Sequence, residues 1–231
     1  MPQEALAMRD SYERFFSKGY ISKEQFFDFG ICETIYAPLD KAKEGWEELK
    51  QRIRNNGPVY MRGFGRNSNG SHLFQEFYSN VLGNKNVKID PTNNKEPTTV
   101  ISDMTGYSKI KSKKHKTIRN YQVSHIFGRT KNIYLFTAPW NIAYLPKIID
   151  PFTGHEAKGE LIDEYQTMFR HKSYVHFEAL IEDYNEIILN KGFQQCIDIY
   201  LEDISKKNRY SQTDIDKLRK SVQEELAPIN C

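Results

Sequence analysis

Through the first 55 residues, apolar side chains recur at the spacing of a helix surface. Met8, Tyr12, Phe15 and Phe16 share one face, and Lys18-Gly19 marks its end. Ser22, followed by Glu24 and Gln25, opens a second helix carrying Phe26, Phe27, Phe29 and Ile31. A third runs from about Asp40 through Trp46 and Leu49 to Ile53, where Asn55-Asn56-Gly57-Pro58 breaks it. Val59–Met61 has the composition of a short strand, and Ser71 caps a helix through Phe74, Phe77, Tyr78 and Leu82. Residues 83–98 form a long polar loop, Thr98–Ile101 a strand, and residues 105–116 a basic, flexible connector. A long helical pattern occupies Gly159 to about Leu189, a further helix spans about 192–205, and an amphipathic helix follows from Thr213.

The pattern between these helical ends is different. Arg119–Phe127 is rich in β-formers, with Tyr121, Val123 and His125 on one face. Gly128–Lys131 is a turn, and Asn132–Phe136 is a second strand. Thr137 has the character of an N-cap, and Pro139 suits only a helix's first turn, so Trp140–Leu145 continues as a helix until Pro146. The expected fold class is therefore α+β. It is one domain over 1–231, with a helical region of about 1–100, a ββα core of about 117–150 and a helical region of about 159–231.

Charge sharpens this picture. Residues 104–149 hold nine Lys and Arg and no Asp or Glu, while the remainder carries 24 basic against 30 acidic residues. The same segment holds Ile118, Val123, Ile133, Leu135, Phe136 and Trp140, so it is no solvated tail. A folded basic surface facing a polyanion is the better account. Lys111, Lys113, Lys114 and Arg119 are its candidate phosphate ligands, joined by Arg129 and Lys131 four and six residues after His125. The segment GFGRNSNG at 63–70 lacks the spacing of a dinucleotide loop and the Lys-Ser/Thr end of a phosphate loop. It reads as a plain connector or as a loop touching a ligand's backbone.

At 39% hydrophobic and 13% aromatic residues the chain can build a core, which excludes wholesale disorder. No apolar run approaches a membrane span, and MPQEALAMRD is no secretory leader. Cys32, Cys196 and Cys231 form no metal-ligand spacing, so a reduced, cytoplasmic protein without structural zinc is expected.

Ser124-His125-Ile126, Asn132 in the following loop and Trp140-Asn141-Ile142 together resemble the ββα-metal, or HNH, nuclease motif over about 34 residues. The string is most similar to small type II restriction endonucleases of HNH type, among them the ICEA-like group that cuts CATG. The resemblance implies that His125 is the general base that activates water against a phosphodiester. It implies a single Mg²⁺, replaceable by Mn²⁺, held by Asn141. In a second alignment Asn141 is only structural and Asp150, nine residues on, holds the metal. Asn141 is the preferred ligand, because Pro146 and Pro151 leave little helix for Asp150. Many members place Asp before the base, and here that position is Ser124.

The implied activity is sequence-specific hydrolysis of double-stranded DNA. One motif without an internal repeat implies a homodimer, for which the helices at 160–190 and 192–205 are the candidate interface, with Phe169, Tyr174 and Phe177 as anchors. The competing expectations are a DNA- or RNA-binding module without catalysis that uses the basic 109–131 surface, and a structural RNA-associated protein.

Overall fold

The computed structural model describes residues 9–63, 71–153, 156–206 and 209–230. The chain enters through two short helices, α1 (Ser11–Ser17) and α2 (Lys23–Cys32). Asp10 caps the first by accepting the Tyr12 N–H at 2.7 Å, and a Ser22–Gln25 capping box starts the second. Then come β1 (Ile35–Tyr36), α3 (Leu39–Arg54), β2 (Val59–Met61), α4 (Ser71–Val81), β3 (Val87–Ile89) and α5 (Lys95–Thr105). The polar segment read as a loop thus contains a strand, and Thr98–Ile101 is helical. Its helix is started from outside: Asp90 accepts N–H groups of Lys95 and Glu96, at 3.1 and 2.7 Å, while Asn94 at the cap position contributes no side-chain bond.

The central elements are β4 (Tyr107–Ser108), β5 (Lys116–Thr117), β6 (Tyr121–His125), a 3-10 turn (Pro139–Asn141), β7 (Ile142–Pro146) and α6 (Asp150–Thr153). The chain ends in α7 (Glu160–Leu189), α8 (Lys191–Lys206) and α9 (Gln212–Glu225). The long α7 is kinked at Phe177, whose φ of −118° and ψ of 19° are not helical. The expected mixture of helix and sheet holds.

The order in the middle differs from expectation. Asn132–Phe136 is not a strand, and Trp140–Leu145 is not a helix. Ala138 is extended, as the residue before Pro139 must be, and Ile142 leaves the 3-10 turn at φ −121° and ψ 133°. It then joins the centre of an antiparallel sheet ordered β1–β7–β6, in which His125 faces Ile142, Val123 faces Tyr144 and Tyr121 faces Pro146. Pairing on both edges captures residues 142–146 as strand.

Both faces of this sheet are covered. Val123, Ile142 and Tyr144 point into a large core with Trp46, Phe77, Trp140 and Tyr184. Ala143 and Leu145 point into a second core with Ile149, Phe152, Tyr165 and Phe169. Phe169 and Phe177 are buried in the monomer, so neither can anchor an interface between copies. Among the described residues no helix is long and apolar enough to cross a membrane.

Candidate functional site around His125

His125 ends β6, and the chain between β6 and β7 is built around it. The Ile126 N–H donates to the Asn141 carbonyl at 2.8 Å, closing a long loop at its base. The Asn141 side chain then holds both limbs of the loop. Its Oδ1 accepts the Phe127 N–H at 2.9 Å, and its Nδ2 donates to the carbonyls of Gly128 and Leu135 at 3.3 and 3.0 Å. Asn132 does the same further out, with Oδ1 accepting the Tyr134 N–H and Nδ2 donating to the Tyr184 hydroxyl and the Glu225 carbonyl. Gly128 and Arg129 turn the chain with φ of +67° and +54°. Every residue from 131 to 146 is buried. An irregular segment can be buried only when its amides and carbonyls are satisfied, and the two asparagines perform that task.

Within this frame His125 is partly exposed but densely surrounded. Its Nε2 lies 2.9 Å from the Phe136 carbonyl, and its ring stacks on Phe136 with centroids 5.3 Å apart. Burial lowers the imidazole's pKa to about 4; the Arg62 charge acts in the same direction, against the Phe136 hydrogen bond and Asp90. The ring is therefore neutral near pH 7. A carbonyl can only accept, so Nε2 carries the proton and Nδ1 holds the lone pair. Among the described residues nothing donates to that lone pair. A fixed, neutral imidazole with one nitrogen available is chemically a base.

The expected partners of His125 are not where the spacing put them. Asn141 has no exposed surface, and its amide is occupied at both ends, so it braces the loop and is not a metal ligand. Arg129 is turned inward: its guanidinium donates to the carbonyls of Ala227 and Pro228 and holds the C-terminal segment. Lys131 is 7% exposed, with its ammonium over the Phe74 ring and its N–H bonded to Glu225. Arg129 is not positioned as a phosphate ligand, because those carbonyls claim its guanidinium, and Lys131 is all but buried, with Glu225 accepting its backbone N–H.

Asp150 opens α6, the helix whose Phe152 packs on the Ala143–Leu145 face of the sheet. Its carboxyl is raised by burial and by Glu156, opposed by Lys147, and no described residue donates a hydrogen bond to it. His125 shares the other face with Ile142, and the charges acting on it are Arg62 and Asp90. The structure does not bring His125 and Asp150 together.

Lys111, Lys113, Lys114 and Arg119 are exposed, as a polyanion surface requires. The first three lie on the loop joining β4 to β5, which pair in parallel. Lys114 is 2.5 Å from Asp103, which also contacts His115. Lys109 stands near Lys147; partial burial, and then that neighbouring charge, lower its ammonium's pKa.

Sequence reasoning missed Arg62 and Asp90. Asp90 is fully buried, and its carboxylate accepts three amide N–H groups, from Thr92, Lys95 and Glu96. Arg62 directly follows β2 and immediately precedes the glycine-rich segment, and that position was the available signal. Most of the segment, residues 64–70, lies outside the described residues, as do His155 and Cys231.

A family profile described as Uncharacterised protein PM1201 matches residues 37–231. The protein of that name from Pasteurella multocida (strain Pm70) is 45% identical over 184 residues, covering 79% of this chain and 81% of the relative. No solved structure matches the chain significantly.

Proposed function

We propose that this chain, which belongs to the family described as Uncharacterised protein PM1201, is a metal-dependent nuclease that cuts double-stranded DNA at specific sequences, as a type II restriction endonuclease does. The observation that carries this reading is the state of His125: neutral, fixed through Nε2, and with the Nδ1 lone pair available. In the proposed step Nδ1 takes a proton from water as the water oxygen attacks phosphorus, and the 3′ oxygen departs. The phosphodiester's negative charge favours the imidazolium that results, opposing the burial that keeps the free ring neutral. His125 ends strand β6, as the resemblance requires, whereas the second strand and the helix fall at 142–146 and 150–153 instead of 132–136 and 140–145.

Neither expected metal ligand stands free beside His125: the Asn141 amide is occupied at both ends, and Asp150 lies with the other face of the sheet. Mg²⁺ is commonly held by one or two carboxylates, with water and substrate phosphate completing its shell. Among the described residues no three His, Cys, Asp or Glu side chains gather as ligands. When bound, Mg²⁺ would offset negative charge on the phosphate and leaving oxygen. Asp150→Asn is expected to fold normally and to leave the Mg²⁺ needed for half-maximal cleavage unchanged, because Asp150 does not share the face that carries His125. A rise of about tenfold or more in the Mg²⁺ required would place Asp150 at the metal site and contradict this.

Exposed Lys111, Lys113 and Lys114 supply phosphate contacts and no base reading. Neutralising all three should weaken binding to all duplexes alike and reduce the slope of log affinity against log salt by about two to three units. A changed cutting preference at unchanged slope would contradict this.

The direct test is plasmid incubated with the protein, with and without Mg²⁺. Discrete fragments that need Mg²⁺ support the proposal, and a smear reduces it to a nonspecific nuclease. Intact plasmid that is nevertheless bound favours a binding module. The same gel tests the homodimer, because two copies acting together on a two-fold site yield linear DNA without accumulating nicked circles. Persistent nicked circles mean that one copy cuts one strand at a time.

A further inference from the structure

We infer that Arg62 is the phosphate-binding partner of His125, seating an anionic oxygen beside the imidazole. The inference deepens the nuclease reading and rests on it for the identity of the phosphate as part of a nucleic-acid backbone.

Arg62 is held in place by its backbone. Its N–H donates to the Thr130 carbonyl at 2.9 Å, which ties the end of β2 to the loop that follows His125. On the other side the Asp90 N–H donates to the Met61 carbonyl at 2.9 Å. The next residue, Gly63, packs so closely on β3 that a Cβ there would fall 2.1 Å from Cγ2 of Ile89. Its N–H donates to the Asn93 side chain at 3.2 Å. Arg62 therefore leaves a backbone pinned to both neighbouring segments.

The side chain, by contrast, has no hydrogen-bond or ion-pair partner among the described residues. Its Nε is buried and makes no hydrogen bond among the described residues, and no described carboxylate pairs with the guanidinium. Asp90, the neighbouring acid, has committed both its oxygens to backbone amides. Arg62 is half-buried, but a buried N–H such as its Nε without an acceptor is rare in native folds and calls for an explanation. A structural explanation is poor here, because this cation stands near a histidine whose protonation it opposes. A ligand explanation accounts for both features. Arginine's planar donors match the oxygens of a phosphate, and bound phosphate would supply the missing acceptor. It would sit beside a neutral nitrogen able to take a proton. Because it would touch the substrate, Arg62 is assigned as a catalytic residue together with His125, while Asp90 positions the neighbouring helix.

The test is a titration of the full chain with inorganic phosphate, following the His125 ring resonances by NMR. In the wild type a saturable shift is expected. Arg62→Gln should weaken the apparent phosphate affinity at least tenfold, and Arg62→Lys should fall between the two. Without phosphate, Arg62→Gln should also raise the His125 pKa, since a repelling charge is gone, and this readout requires no activity. Thermal melts identify any variant that fails to fold, in which case the lysine variant carries the comparison. A wild-type histidine that does not respond to phosphate, or one that responds equally in Arg62→Gln, overturns the inference. A response that depends on Arg62 in a protein that cuts no DNA upholds Arg62 as the phosphate ligand and defeats the nuclease reading.

Discussion

Asn141→Ala is expected to destabilise the fold by at least about 3 kcal/mol, the cost of stranding three polar groups at about 1–3 kcal/mol each. The Phe127 N–H would lose its acceptor, and the Gly128 and Leu135 carbonyls would lose their donor. Asn141 has no exposed surface, so water cannot easily replace the amide. Natural domains are stable by about 5–15 kcal/mol in total, so a loss of this size removes much of the margin. Urea unfolding, monitored without DNA or metal, measures it. A metal ligand would behave in the opposite way: its removal would spare apo stability and impair only metal-dependent activity. A loss below about 1 kcal/mol would mean that Asn141 does not brace the loop.

His125→Ala is expected to show the converse pattern. Cleavage should fall by at least about 10²–10⁴-fold, because the base acts only in the chemical step. Duplex affinity should hardly change, since the exposed lysines of the β4–β5 loop are untouched. Stability should fall by about 1 kcal/mol, the usual net worth of one hydrogen bond, here the one to Phe136. The wild-type pH profile follows from the same environment. An imidazole lowered to about 4 by burial and by Arg62 keeps its lone pair well below the ordinary histidine range. The acid limb of kcat/KM should accordingly lie near pH 4 and not near 6.5. A limb that stays near 6.5 would place the titrating group elsewhere.

The helical ends of the chain were legible because their signals are local. Ser22 and Gln25 cap one another across three residues, and the apolar stripe of α3 faces the core. β6 was legible because its two faces differ, with Val123 buried and its neighbours partly exposed. β7 was not. It lies at the centre of a sheet covered on both faces, all five of its residues are buried, and no alternation distinguishes it from a short helix. α5 was misread because its β-branched run Thr98–Ile101 suggests a strand while its starting acceptor, Asp90, lies outside it.

The candidate site divides in the same way. His125 and Asn141 stood out because they are close in the chain and near a turn. The role of Asn141 depended on which carbonyls face its amide, and spacing does not contain that information. Arg129 and Lys131 look like phosphate ligands when only neighbouring residues are considered. The carbonyls of Ala227 and Pro228 that hold the Arg129 guanidinium, and the Glu225 carboxylate that accepts the Lys131 backbone N–H, come from the far end of the chain. Arg62 is tied to the loop that follows His125 by the same kind of long-range packing, its N–H bonded to the Thr130 carbonyl.

The central claim is that His125 is the base of a phosphodiester-cleaving site. It is tested most directly by single-turnover cleavage of one plasmid substrate by wild-type and His125→Ala protein, both saturating and both with Mg²⁺. The account predicts that the wild type converts the plasmid to fragments while the variant binds it equally well and leaves it intact at least about a hundred times longer. Cleavage by the variant within tenfold of the wild-type rate, or no cleavage by the wild type, would contradict it.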